Sequence, residues 1–100
     1  MVFKEDDAVE IAAASDSVEK FENKHPNCVW NIEKMKPKAT EIWIKKHPKA
    51  VANPPKNLWI VELEELEKEK LIIVIDPLTQ KIVGTSTEKL KPEPEEEDED

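Results

Sequence analysis

A chain of 100 residues holds one domain at most, and its single cysteine and single glycine exclude an internal disulfide and any glycine-rich phosphate loop. The formal net charge of −8 is unevenly spread: residues 93–100 carry seven acids and no lysine, leaving 16 acids (23 − 7) against 15 lysines in residues 1–92. Every basic residue is lysine, which argues against nucleic acid, because bidentate recognition of phosphate and guanine favours the arginine fork.

Along the chain, "EDDAVEIAAASDSVEKFENKHP" reads as helix, with Ala8, Ile11, Ala14 or Ser15, Val18 and Phe21 forming the stripe of a buried face. Asp7 with Glu10 resembles a capping box, and Asp16 with Glu19 a second one after a break at "ASDS", so one kinked helix or two short ones both fit. Pro26 ends the helix at about His25, because proline disfavours helical geometry in the residue before it. "NCVWNIEKMK" follows, and the alternation Cys28/Trp30/Ile32 predicts a strand. "KATEIWIKKHP" predicts another, with Thr40, Ile42 and Ile44 on one face and Trp43 on the other, closed by Pro48. "KAVANPPKN" is a loop by its Asn-Pro-Pro content. "LWIVELEEL" predicts a strand with Trp59, Val61 and Leu63 facing the core; Asn57–Lys70 also fits a charged helix, but Trp59, Ile60 and Val61 in a row favour strand. "KLIIVIDPLTQKIVGT" predicts a hairpin: an apolar strand Leu71–Ile75, a turn over Asp76–Gln80 and a short return strand Lys81–Gly84. "KPEPEEEDED" is expected to be a disordered acidic tail, which leaves residues 1–90 as the folding unit. The expected architecture is α+β, an N-terminal helix packed on an antiparallel sheet of four to five strands.

Little in this pattern is catalytic. His25 and His47 stand 22 residues apart and Cys28 is alone, whereas structural zinc takes four ligands at short paired spacings, so no metal is expected. No nucleophile signature surrounds Cys28, and it reads as a small apolar residue. We therefore expect no enzyme, no cofactor and no catalytic residue. The charge layout points elsewhere. Residues 33–56 hold seven lysines (34, 36, 38, 45, 46, 49 and 56) against Glu33 and Glu41. Trp30 and Trp43, beside those lysines, are candidate anchors for a protein partner together with Lys45, Lys46 and Lys49, at a sheet edge or along the Trp43–Asn57 strand and loop, by strand addition or by a hydrophobic anchor. The alternative reading is a nucleic-acid-associated protein using Lys34–Lys56, with the acidic tail as competitor. The chain is expected to act as a monomer or weak homodimer. The start "MVFKEDDAVE" lacks the apolar core of a signal peptide, and no run approaches the ~18 apolar residues of a membrane span. The chain as given reads as cytoplasmic, or as extracytoplasmic if cut from a longer exported protein.

The pattern also resembles a PepSY-type domain, the module of peptidase propeptides and YpeB-type proteins. The likeness is carried by "DAVEIAAASDSVEKFENKHP", similar to the family's alanine-rich helix; by "LWIVEL", similar to its Trp-x-Val strand; and by "IIVIDPLTQKIVG", similar to its Asp-containing hairpin. Gln80 stands where that hairpin usually has glycine. The resemblance implies a small non-catalytic α+β domain that binds or inhibits peptidases, or docks to another protein, and it supplies no catalytic residue to carry over.

Overall fold

A computed structural model describes residues 3–51, 53, 55–65 and 68–89. The predicted acidic tail lies outside the described residues. The elements run α1 (Glu5–Ala13), α2 (Asp16–Lys24), β1 (Val29–Lys34), α3 (Pro37–Lys46), β2 (Trp59–Glu65), β3 (Glu69–Asp76) and β4 (Lys81–Lys89). The strands form one antiparallel sheet in the order β1-β2-β3-β4, and α1 packs on it. This is the expected α+β arrangement, with the N-terminal helix split in two.

The split has a local cause. Lys4 opens α1, its backbone N–H bonded to Asp7 Oδ2 at 2.9 Å. Ala14 closes it, and Ser15 then caps α2, its Oγ accepting the Ser17 N–H at 3.2 Å. The polar cap interrupts the stripe: Ala8 and Ala12 are buried from α1, Val18 and Phe21 from α2, and Ala14 is exposed.

Register makes the two faces of the sheet unequal. Trp59, Val61 and Leu63 of β2 stand opposite Ile75, Ile73 and Leu71 of β3, and these six residues join Ala8, Ala12, Val18 and Phe21 in one buried cluster. Trp30, Ile32 and Cys28 pack on its margin. The period of two thus places the predicted core face of β2, and with it Leu71, Ile73 and Ile75 of β3, against α1 and α2. The other face carries Ile60, Glu62 and Glu64 of β2 opposite Val74, Ile72 and Lys70 of β3. β4 continues to Lys89, well past the expected end at Gly84, because its threonines pair readily although most of the strand's side chains stay in water.

The hairpin turn closes as an Asx turn. Asp76 Oδ1 accepts the Leu78 N–H at 2.9 Å, and the Asp76 carbonyl accepts the Gln80 N–H at 2.8 Å. Gln80 has φ 57°, so the left-handed position is filled by a residue with a Cβ.

One expectation fails. The stretch read as a strand with Thr40, Ile42 and Ile44 on one face is the helix α3. Pro37 sits at its first turn, where a missing N–H costs nothing, and Lys45 and Lys46 oppose the negative end of the helix dipole. Short apolar runs do not distinguish the two periods, and here the contacts follow i, i+4: Trp43 stacks on His47 with centroids 4.1 Å apart. The two Lys-His-Pro sites, 24–26 and 46–48, therefore end the same type of element. His25 caps α2 and His47 caps α3, with similar backbone angles (φ −131°, ψ 77° and φ −131°, ψ 63°). Each ring lies against the aromatic ring four residues earlier, Phe21 at 4.8 Å and Trp43 at 4.1 Å. Aromatic-x-x-Lys-His-Pro is thus one helix-ending device used twice.

α3 docks at both of its ends. At the first, Thr40 is buried and its Oγ1 accepts the Leu58 N–H at 3.0 Å. The Asn57 side chain donates to the Met35 carbonyl and the Met35 N–H to the Leu58 carbonyl, both at 2.7 Å. At the second, the Trp43 ring lies over the sheet face away from α1. An added Cβ at Gly84 would come 2.6 Å from Trp43 Cζ2 and 3.6 Å from Val74 Cβ. The chain's one glycine is therefore required for space. The ladder shifts register here, with Gly84 opposite Val74 and Ile82 opposite Ile75, which leaves Val83 as the extra residue of a bulge beside the ring's seat.

Candidate functional site

The docking of α3 leaves a groove between the helix and the second face of the sheet. It is lined by Met35, Ala39, Ile42, Trp43 and Ile60, with Glu33, Lys34, Lys36 and Lys46 around it, and encloses about 490 Å³. Ile42 is 49% exposed, a large apolar side chain turned to water beside the half-buried Trp43. The apolar lining comes from both the helix and the sheet. Trp43 is held from one side by His47, whose Nδ1 lies 2.9 Å from the Trp43 carbonyl. A carbonyl only accepts, so Nδ1 carries the hydrogen of that bond. Ile60 comes from β2, in register with Glu33 of β1 and Val74 of β3. Among the described residues β1 is an edge strand, so the groove opens beside the outer row of its backbone groups.

The sequence-predicted site residues are only partly brought together. Trp43 forms a wall of the groove, and Lys46 lies on its rim. Lys45 is exposed on the opposite flank of α3, where it lines a second hollow with Pro37, Glu41 and Pro55, and Lys49 is exposed beyond the helix. Trp30 is elsewhere: it stands opposite Leu63 on the α1 side of the sheet, and its indole N–H donates to Glu22 at 3.3 Å. The two tryptophans therefore belong to opposite faces. Strand addition along Trp43–Asn57 also fails for Trp43 to Lys46, whose backbone groups lie within a helix. The groove residues missed from sequence, Met35, Ala39, Ile42 and Ile60, become legible once Pro37 is read as a helix start.

A second cluster sits at the end of α2. His25 is 8% exposed; its Nε2 lies 2.7 Å from Glu69 Oε1 and its Nδ1 3.6 Å from Glu65 Oε1. Lys24 Nζ reaches the same Glu69 oxygen at 3.0 Å. The His25 hydrogen bond, then that of Lys24, holds the Glu69 carboxyl below its ordinary value against the opposing effect of burial. Nearby, burial and the Glu22 carboxylate push the Cys28 thiol up, away from the thiolate a nucleophile needs. The cluster ties the end of α2 to β2 and β3. Among the described residues, no group of three or more His, Cys, Asp or Glu side chains is placed to hold a metal, and no helix is long and apolar enough to cross a membrane.

The lowered Glu69 value has a sign. An unfolded chain takes up this proton first, so the contribution is complete above the ordinary glutamate value of about 4.5 and is lost as pH falls through the lowered folded value. Thermal melts of the parent and of Glu69→Gln between neutral and acid pH are expected to differ in slope. The parent loses stability more steeply on the acid side, and parallel curves would show that Glu69 is not tied to His25 in solution.

Comparison of the chain with models of known protein families, with curated proteins and with solved structures finds no match.

Proposed function

We propose that this chain is a non-enzymatic protein-interaction domain whose α3 groove takes an acidic peptide segment of a partner, anchored by an apolar side chain. The observation that carries the reading is the pairing of Ile42, half exposed, and Trp43 with a lysine rim of Lys34, Lys36 and Lys46. An apolar anchor supplies affinity and the rim supplies steering and register. The resemblance to PepSY-type modules points the same way, since it implies docking to another protein or to a peptidase. The outer edge of β1 offers main-chain hydrogen bonds to an extended peptide lying along the groove.

The direct test uses a labelled peptide of alternating leucine and glutamate, with a leucine–lysine peptide and a single-stranded oligonucleotide as controls, read by fluorescence polarisation. The acidic peptide is expected to bind, and Ile42→Asp, at an exposed position, to weaken it about tenfold or more. Binding of the lysine peptide with equal strength would contradict the proposal. Oligonucleotide binding that steepens with falling salt would favour the lysines of 34–56 as a nucleic-acid surface.

A further inference from the structure

We infer that the groove's lysine rim has an occupant within the same chain: the acidic segment 93–100, which competes with the partner peptide and sets the threshold for its entry. This inference rests on the groove reading above and adds its regulation.

Charge complementarity is the first observation. Seven acids without a lysine in 93–100 complement seven lysines against two acids in 33–56, whereas the rest of the chain is itself acidic, with 14 acids against eight lysines. Among the described residues, the lysines found in ion pairs are Lys24 and Lys70, and none of the lysines in or beside α3 has a described acid as partner.

Reach is the second. β4 ends at Lys89, and Gly84, five residues back on the same strand (89 − 84), lies beneath Trp43. Five residues of strand span about 17 Å at ~3.3 Å each. The eleven residues 90–100 span up to about 36 Å when extended. Acids from about Glu95 onward therefore reach back to the Trp43 ring, beside which Lys46 of the rim stands, without any displacement of the sheet.

The tether makes a weak contact count. A short link raises the effective concentration of the segment to about the millimolar range, so a contact of millimolar affinity occupies the rim about half the time. Such a contact between exposed charges is screened within roughly 8 Å at physiological salt. The expected result is a modest, salt-sensitive brake that a partner with an apolar anchor overcomes and a purely acidic one does not.

The test neutralises the segment without shortening the chain, changing each Glu in 93–100 to Gln and each Asp to Asn. The leucine–glutamate peptide is expected to bind this variant about 2–10-fold more tightly than the parent at low salt, with the difference gone near 0.5 M salt. Equal affinities at low salt, with the peptide bound by both, would overturn the brake and leave the groove reading intact. If neither chain binds the peptide, the groove reading fails, and the inference is decided by a second readout that needs no ligand. Amide spectra of parent and neutralised chains are expected to differ over Lys34–Lys49 and at the Trp43 indole N–H. Superimposable spectra there would overturn it.

Discussion

Gly84→Ala is expected to unseat Trp43 and to cost the domain about 1–3 kcal/mol, the usual range for forcing an extra methyl into a filled site. Two effects oppose each other. Glycine in a strand is unfavourable by roughly 0.5–1 kcal/mol relative to alanine, so the substitution begins with a gain. Against it stands a Cβ that would lie 2.6 Å from Trp43 Cζ2, a separation that requires movement. The neighbouring Val74 is 4% exposed and leaves little space, so the indole swings outward. That movement releases the stack on His47 and removes one wall of the groove. Urea unfolding reads the stability and the Trp43 indole resonance reads the ring. A more stable variant with an unshifted indole would mean that the ring does not rest on β4. The same variant is expected to bind the acidic peptide poorly, because wall and rim move together.

Leu63→Ala is expected to cost more, about 2–5 kcal/mol, the range for removing a buried leucine side chain and leaving a cavity. Leu63 is 0% exposed, stands between Trp30 of β1 and Leu71 of β3, and joins the cluster under α1 and α2. A domain of this size has a total stability on the order of 5–15 kcal/mol, so the loss takes a large part of it. Glu64→Ala, one residue along, points to the other face and is expected to change stability by less than about 0.5 kcal/mol. Equal effects of the two substitutions in urea titrations would contradict the assigned register, since a slip of one residue exchanges the two faces.

The residues that were legible in the sequence share one property: their signal is local. Val61 and Leu63 alternate with Glu62 and Glu64, so period two identifies both the strand and its core face. Gln80 sits where the hairpin turn needs a positive φ, and the turn chemistry of Asp76-Pro77 locates it. The break at "ASDS" marks a helix interruption, although the cap is Ser15 and not Asp16. What was not legible has two causes. In α3, β-branched Thr40, Ile42 and Ile44 imitate a strand, while the marks of a helix are Pro37 in its first turn and the Trp43–His47 pair. In the His25 cluster, the partner Glu69 is 44 residues away, and no local pattern predicts such a pair. His25 is therefore both a stop signal, as read from Pro26, and a partner of Glu69 in a hydrogen bond that only the fold reveals.

The groove illustrates both causes. Its residues come from the end of β1, the connector at Met35 and Lys36, α3, and Ile60 of β2. Reading 37–46 as a strand separates Ala39 from Trp43, whereas a helix places them one turn apart on the same side. Trp30, chosen for its nearness in sequence to the lysines, is removed by the same pleat that locates Ile60, because residues 30 and 33 of β1 fall on opposite faces.

The groove is tested most directly by titrating the isotope-labelled chain with the leucine–glutamate peptide and following amide and indole resonances. The shifts are expected to concentrate at Met35, Ala39, Ile42, the Trp43 indole and Ile60, to extend along the β1 edge, and to be lost in Ile42→Asp. Shifts centred instead on the β4 edge or on α1 and α2, or a titration that leaves the Trp43 indole unmoved at saturation, would contradict the groove reading.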